Sequence, residues 1–267
     1  MFDTIGFIGT GTMGSALARA VRKGAPEASI LLANRTPAKA EALAKDLGCQ
    51  VADNETAART CSLIFLGVKP QMMAGMLEAI APILAGRSDR FVLASMAAGL
   101  DAQRIQALAG GAYPVICLMP NTPVAVGAGI IEYYGLDTTQ EELDAFQAIL
   151  SPAGLVDQIE PGLLSAASAV SGCGPAFCAL FIEALADGGV ACGLPRAKAL
   201  SYAAQMVEGT ARLMLESGSH PGALKDGVCS PGGTTIQGVR TLEGRGFRSA
   251  AMEAVIAAYE KTLSMGK

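Results

Sequence analysis

Ile5-Gly6-Phe7-Ile8-Gly9-Thr10-Gly11-Thr12-Met13-Gly14 opens the chain as a short apolar strand running into Gly9-x-Gly11-x-x-Gly14, and Ser15-Ala16-Leu17-Ala18-Arg19-Ala20-Val21 continues it with helical character. Strand, glycine turn and helix, in that order, form the context in which this spacing binds a dinucleotide. Gly9 permits the tight turn, Gly11 lets a pyrophosphate approach the backbone, and Gly14 lets helix and strand pack closely, so that phosphates sit on the helix N-terminus. Without that context the three glycines would be only a structural turn.

Working outward, strand and helix alternate. Ser29-Ile30-Leu31-Leu32-Ala33 reads as a second strand, and residues 37–47 as an amphipathic helix closed by Gly48. Apolar runs at 62–68, 90–96 and 113–119 follow, ending at Lys69-Pro70-Gln71, Ala97-Ala98-Gly99 and Pro120-Asn121-Thr122-Pro123. Continuous apolar strands separated by helices imply a parallel sheet covered on both faces, with function at the carboxyl ends of the strands. From about Glu160 the strand pattern stops, and Ala/Leu/Met-rich helical stretches occupy 163–170, 175–192, 195–217, 221–227, 234–243 and 246–265. The expected architecture is α/β: a Rossmann-type doubly wound sheet over residues 1–160, then an all-helical domain over 161–267. Pro175 to Cys192 carries only Glu183 and Asp187 as charges, and so apolar a helix needs cover on most sides. A domain of roughly a hundred residues cannot provide that cover alone, so a partner subunit is expected.

Composition narrows the class. The chain has 267 residues, 51% of them hydrophobic and 16% charged, which supports a sizeable core and excludes disorder as the main state. A net charge of −4 with no dense Lys/Arg run gives no basis for nucleic-acid binding. The seven cysteines (49, 61, 117, 173, 178, 192 and 229) include no C-x-x-C pair, and the single His220 cannot complete a zinc set. They read as buried thiols of a reducing cytosol, and no metal is expected. Asp3 stands where a signal peptide would carry basic residues, and no run approaches twenty apolar residues without Gly or charge. A cytoplasmic protein without a membrane span is therefore expected.

The second strand ends in Ala33-Asn34-Arg35-Thr36-Pro37, with no carboxylate to take a ribose 2′-hydroxyl. Arg35 can fork onto a 2′-phosphate while Asn34 and Thr36 donate hydrogen bonds, which favours NADPH and leaves NADH as the weaker alternative. The same residues also suit a surface turn in which Thr36 caps the next helix. Two later clusters, Ser171-Gly172-Cys173-Gly174-Pro175-Ala176 and Ser230-Pro231-Gly232-Gly233-Thr234-Thr235, each place Ser/Thr and Gly just before a helix. Such starts present free N–H groups to a small anion, or are simply N-capped helices. His220, just before Pro221, reads as a capping residue rather than a proton donor.

Together these motifs resemble the pyrroline-5-carboxylate reductase family. The matching residues are the 6–14 fingerprint, Val68-Lys69-Pro70-Gln71, Ala97-Ala98-Gly99, Met119-Pro120-Asn121-Thr122-Pro123 and the two Ser/Gly/Pro clusters, and they span nearly the whole chain. The resemblance implies reduction of a cyclic imine to L-proline by a Rossmann domain and a helical dimerisation domain, with dimers often assembled into decamers. It also implies that Ile8, Gly9, Thr10, Gly11, Thr12 and Met13 surround NADPH together with Asn34, Arg35, Thr36, Asn54, Gly67, Val68, Lys69, Pro70, Ala97, Ala98 and Gly99. Ser171, Gly172, Gly233, Thr234 and Thr235 would bind substrate, with Thr235 the catalytic contact. Some members carry Ala in place of Thr234, and some carry Asn where this chain has Gly227. Ser171 and Thr235, more than sixty residues apart, would meet across a subunit interface.

Two other readings stay open. Hydroxyacid dehydrogenases of the same build place a Lys one to two turns into the first helix of the second domain, and Gly174 to Leu185 contains none. A nucleotide-sensing regulator would not need two anion-ready helix starts.

Overall fold

The computed structural model describes residues 2–265. The helical and domain expectations that run on to 266 and 267 lie outside them at that end. Two compact units are present: one runs up to Gly172 and takes in the chain again from Tyr259, and the other is Cys173–Ala258.

The first unit is built on an eight-stranded sheet of the described residues: β1 (Thr4–Ile8), β2 (Ser29–Ala33), β3 (Gln50–Val51), β4 (Leu63–Leu66), β5 (Val92–Ser95), β6 (Val115–Pro120), β7 (Gly129–Leu136) and β8 (Gly154–Gln158). The strand order is β3-β2-β1-β4-β5-β6-β7-β8. From β3 to β6 every pairing is parallel, with the order reversing between β1 and β4. The chain alternates these strands with α1 (Thr12–Gly24), α2 (Pro37–Leu47), α3 (Asn54–Thr60), α4 (Pro70–Ala85), α5 (Ala102–Ala109) and α6 (Gln140–Leu150), and α7 (Leu164–Ser171) ends the unit's main stretch. The doubly wound sheet is as expected, but it is not wholly parallel. β7 runs antiparallel to β6, from which it follows by a short loop without a crossover helix, and β8 then pairs parallel to β7. The β7 run GIIEYYGL lacks the strict alternation that marks a half-buried strand because both of its faces are covered.

Both sheet faces are packed. One core gathers Phe7, Leu17, Phe65, Tyr133 and Phe146, with Phe7 and Phe65 stacked at 4.5 Å between ring centroids. The other gathers Ile64, Leu66, Met73, Leu77, Ile80, Leu93, Ile105 and Tyr134. Each such side chain stabilises the fold by about 1.5–3 kcal/mol when fully buried.

The second unit holds α8 (Gly174–Ala191), α9 (Arg196–Ser217), α10 (Pro221–Gly227), α11 (Thr234–Gly244) and most of α12 (Phe247–Met265). These bounds follow the expected helical stretches closely. The unit's buried core is only Ala186, Ala199 and Ala203, where α8 meets α9, while Leu180, Tyr202, Leu213 and Leu215 are exposed. Against the expectation of no membrane span, the stretch Pro161–Ala191, which begins in the first unit, is by length and composition alone apolar enough to cross a membrane, its most apolar 18-residue window reaching a mean hydropathy of 1.6.

Candidate active site

The carboxyl ends of β1, β2, β4 and β5 lie side by side on one edge of the sheet, so residues 9–13, 34–36, 67–70 and 97–99 come together there. The turn after β1 is shaped by its glycines. Gly9 has φ +103°, and a Cβ on it would lie 2.7 Å from the Gly67 carbonyl oxygen. Gly67, at the end of β4, has the reciprocal constraint: its Cβ would lie 2.4 Å from the Gly9 oxygen. Gly9 and Gly67 therefore let the two strand ends approach at the point where strand order reverses. A Cβ on Gly14 would also collide with the Gly9 oxygen, whereas one on Gly11 would meet nothing within 4 Å.

Helix α1 begins at Gly11 with no side-chain cap and no acidic residue in its first turn. By contrast, Asp53 caps α3 and Asp101 caps α5, each accepting a backbone N–H three residues on. The first N–H groups of α1 therefore have no side-chain partner, an arrangement that suits an anion. The Asp53 carboxyl is held below its usual range by the hydrogen bond from Thr56, fixing α3 at the position where Asn54 begins it. Beside the α1 start, Thr10 is 3% exposed, and its buried hydroxyl has no hydrogen-bond partner. Buried polar atoms are nearly always paired, so this hydroxyl is poised for a bound group. Thr10, Gly11, Thr12, Ser15, Arg19 and Lys39 line a groove between α1 and α2 that runs out from this turn.

The Asn34 amide is committed largely to structure. Its Oδ1 accepts the Thr10 N–H at 3.3 Å, and its Nδ2 donates to the Thr36 carbonyl at 3.0 Å, tying the glycine turn to the end of β2. Arg35 is exposed, with Nη1 3.9 Å from the Met72 sulfur on α4. Thr36 occupies the N-cap of α2, with Pro37 in its first turn, but makes no side-chain cap bond. The expected Thr36 cap is therefore not formed, and its hydroxyl is left for other partners.

The two later clusters differ from each other. Ser171-Gly172-Cys173 is not an open helix start: Gly172 and Cys173 keep right-handed backbone angles, and the Gly172 N–H donates to the Ser168 carbonyl. The chain passes from α7 to α8 through a helical turn, and the Ser171 hydroxyl bonds back to Ala167. Asn121, a residue whose role sequence reasoning missed, fastens this turn. Its Nδ2 donates to the Ser171 carbonyl at 3.1 Å, and its Oδ1 accepts the Ile130 N–H at 2.9 Å. Gly233, by contrast, is a true uncapped N-terminus: it has extended backbone and no side-chain cap, and Thr234 and Thr235 stand exposed in the first turn of α11. His220 caps α10 through Nδ1, which accepts the Gly222 N–H at 3.1 Å. Among the described residues no group of three His, Cys, Asp or Glu side chains gathers that could hold a metal ion.

Residues 161–265 match the family model described as pyrroline-5-carboxylate reductase dimerisation, and residues 4–99 match one described as NADP oxidoreductase, coenzyme F420-dependent. The chain is 43% identical to a pyrroline-5-carboxylate reductase of Synechocystis over 271 residues, covering 98% of each chain. This chain belongs to the pyrroline-5-carboxylate reductase family. It is an oxidoreductase with that family's Rossmann-like sheet followed by a helical dimerisation region. Solved structures agree. The Coxiella burnetii reductase superposes with a TM-score of 0.92 at 28% identity, covering 100% of each chain. The Plasmodium falciparum enzyme, solved with NADP bound, superposes with a TM-score of 0.87 at 31% identity, covering 99% of this chain and 98% of that one.

Proposed function

We propose that this chain catalyses NADPH-dependent reduction of the cyclic imine 1-pyrroline-5-carboxylate to L-proline, the last step of proline biosynthesis, as a cytoplasmic homodimer able to assemble into decamers. One observation carries the reading. The carboxyl edge of the sheet has an uncapped helix start and an unpartnered Thr10 hydroxyl that fit a dinucleotide, and the same chain continues into the family's dimerisation region.

NADPH supplies the hydride. The N–H groups of Thr12 and Met13 hold its pyrophosphate, with Gly11 leaving the room. Arg35 and Thr36 take the 2′-phosphate, Asn34 holds that loop in place, and Asn54 flanks the same side. Gly67, Val68, Lys69, Pro70, Ala97, Ala98 and Gly99 line the remainder through their backbone. The free N–H groups that follow Gly233, at Thr234 and Thr235, suit the substrate carboxylate, whereas the Ser171–Gly172 turn, with its N–H and carbonyl already engaged, offers the Ser171 hydroxyl as its further substrate contact. The Thr235 hydroxyl orients the ring nitrogen or the carboxylate. A cyclic imine is readily protonated near neutrality, so its iminium needs no side-chain acid, in keeping with the absence of Lys from Gly174 to Leu185. Catalysis then rests on orientation and on exclusion of water.

The test is NADPH oxidation with pyrroline-5-carboxylate, and then with hydroxyacids or their oxo forms. Only the imine should turn over. Thr235→Ala should lower kcat/KM about tenfold or more with NADPH binding intact, the loss of one good hydrogen bond to a charged group. His220→Ala should keep most activity; a folded but inactive His220 variant would overturn the claim that no side-chain acid is used.

A further inference from the structure

Ser95 on β5, Cys117 on β6 and Tyr134 on β7 are direct register partners, so they form one row across three neighbouring strands. They are 2%, 3% and 8% exposed. Each meets a successive backbone group of the segment that leads from β5 into α5. The Ala97 N–H donates to Ser95 Oγ at 3.4 Å, Cys117 Sγ donates to the Leu100 carbonyl at 3.9 Å, and the Ala102 N–H donates to the Tyr134 hydroxyl at 3.2 Å. Cys117 and Tyr134 stand side by side as register partners on the adjacent strands β6 and β7. The row thus fastens the segment at three points, the Ala97 N–H, the Leu100 carbonyl and the Ala102 N–H. Burial pushes the Cys117 thiol up to about 11 and the Tyr134 hydroxyl up as well, so both keep their protons across the working range of the enzyme.

The segment between these anchors contains Gly99 at φ +80°, and it has no strand ladder of its own to hold it. We propose that Ser95, Cys117 and Tyr134 are positioning residues that set the backbone of Ala97-Ala98-Gly99 in the conformation that receives the dinucleotide. The inference rests on the reading of 97–99 as cofactor-lining. It adds that the strength of cofactor binding is set from behind, by side chains of the sheet that never touch the ligand. A buried N–H left unpaired is costly, so removing the Tyr134 hydroxyl would release or distort the segment.

The experiment is direct titration of NADPH into the full-length protein, by calorimetry or nicotinamide fluorescence, without substrate. Tyr134→Phe should weaken NADPH binding about three- to tenfold, the effect of one lost hydrogen bond. Cys117→Ala should act in the same direction, and Cys117→Ser, which keeps a donor toward Leu100, should recover most of the loss. The Cys117 pair keeps the test open if Tyr134→Phe fails to fold. Tyr133→Phe is the matched control. Tyr133 sits on the opposite face, with its hydroxyl on the Leu143 carbonyl at 3.4 Å and on Gln147 Oε1 at 3.3 Å. It should lower stability without changing NADPH affinity, which separates positioning from general loosening of the sheet. NADPH affinity within twofold of wild type in Tyr134→Phe and Cys117→Ala, or an equal loss in Tyr133→Phe, would overturn the inference. A wild-type protein that binds no NADPH would instead overturn the underlying reading of the strand-end edge.

Discussion

A methyl group added at Gly11 would find open space, whereas the same addition at Gly14 would drive into the Gly9 carbonyl at 2.2 Å. The two fingerprint glycines therefore serve different masters: Gly14 serves the fold, and Gly11 serves whatever approaches the turn. Gly11→Ala should fold with near-native stability yet bind NADPH at least about tenfold more weakly, because the added carbon takes space needed by the pyrophosphate. Gly14→Ala should lose about 1–3 kcal/mol of stability, as a clash in a packed core does. Thermal melts and NADPH titration of both variants decide this; unchanged NADPH affinity in Gly11→Ala would remove the phosphate from that turn. At the same scale, the glycine spacing and the absence of a carboxylate after Ala33 were readable from residue order. The commitment of Asn34 to the Thr10 N–H and the Thr36 carbonyl was not, since an amide's partners depend on where two separate loops meet.

Helix starts in this chain fall into two kinds. Those of α3, α5, α6 and α10 are closed by Asp53, Asp101, Thr139 and His220, whereas α1, α2, α4, α7, α8, α9 and α11 have no side-chain cap, and among these α1 and α11 begin at a glycine, Gly11 and Gly233. The α6 start is the most elaborate: Thr139 and Glu142 form a reciprocal capping box, and Arg90 grips both Glu142 oxygens at 2.7 and 3.0 Å. Burial pushes the Glu142 carboxyl up, but Arg90 and the Thr139 N–H outweigh it and hold the group below its ordinary 4.5. A carboxylate lowered in this way contributes stability above its unfolded value and loses it as pH falls through the folded value. Glu142→Gln should therefore cost about 1–2 kcal/mol at pH 7, reduced from a fully buried pair because Arg90 is half exposed. The gap from wild type should close as pH drops below 4.5. Urea midpoints at several pH values would show it, and a gap independent of pH would exclude the ion pair as its source. Ser171-Gly172-Cys173-Gly174-Pro175 reads as a fresh helix start because Pro is tolerated in a first turn. In the fold Gly172 and Cys173 continue the helical turn instead, and only the backbone angles reveal it.

At the scale of the molecule, the two units differ in how fully they bury themselves. The sheet unit closes two cores, whereas the helical unit buries three alanines and leaves most of α8 and all of α11 without a buried side chain except Ala186. A single copy cannot stabilise such helices, and a second copy is the cover we propose, in keeping with the dimerisation family matched over 161–265. Sedimentation at assay concentrations should show dimers or larger species, with activity lost as dilution produces monomers; a fully active monomer would sink the proposal. The sequence by itself determined the doubly wound sheet, its glycine turn, the switch to helices near residue 160 and the family, because periodicity, glycine spacing and contiguous motifs are properties of neighbouring residues. Only the tertiary structure decided the antiparallel β7, the closure of the Ser171 turn by Asn121 and the row Ser95–Cys117–Tyr134 behind the 97–102 segment. Each of these depends on which distant strands become neighbours, and strand pairing is settled by the packing of the whole sheet rather than by any one stretch of chain.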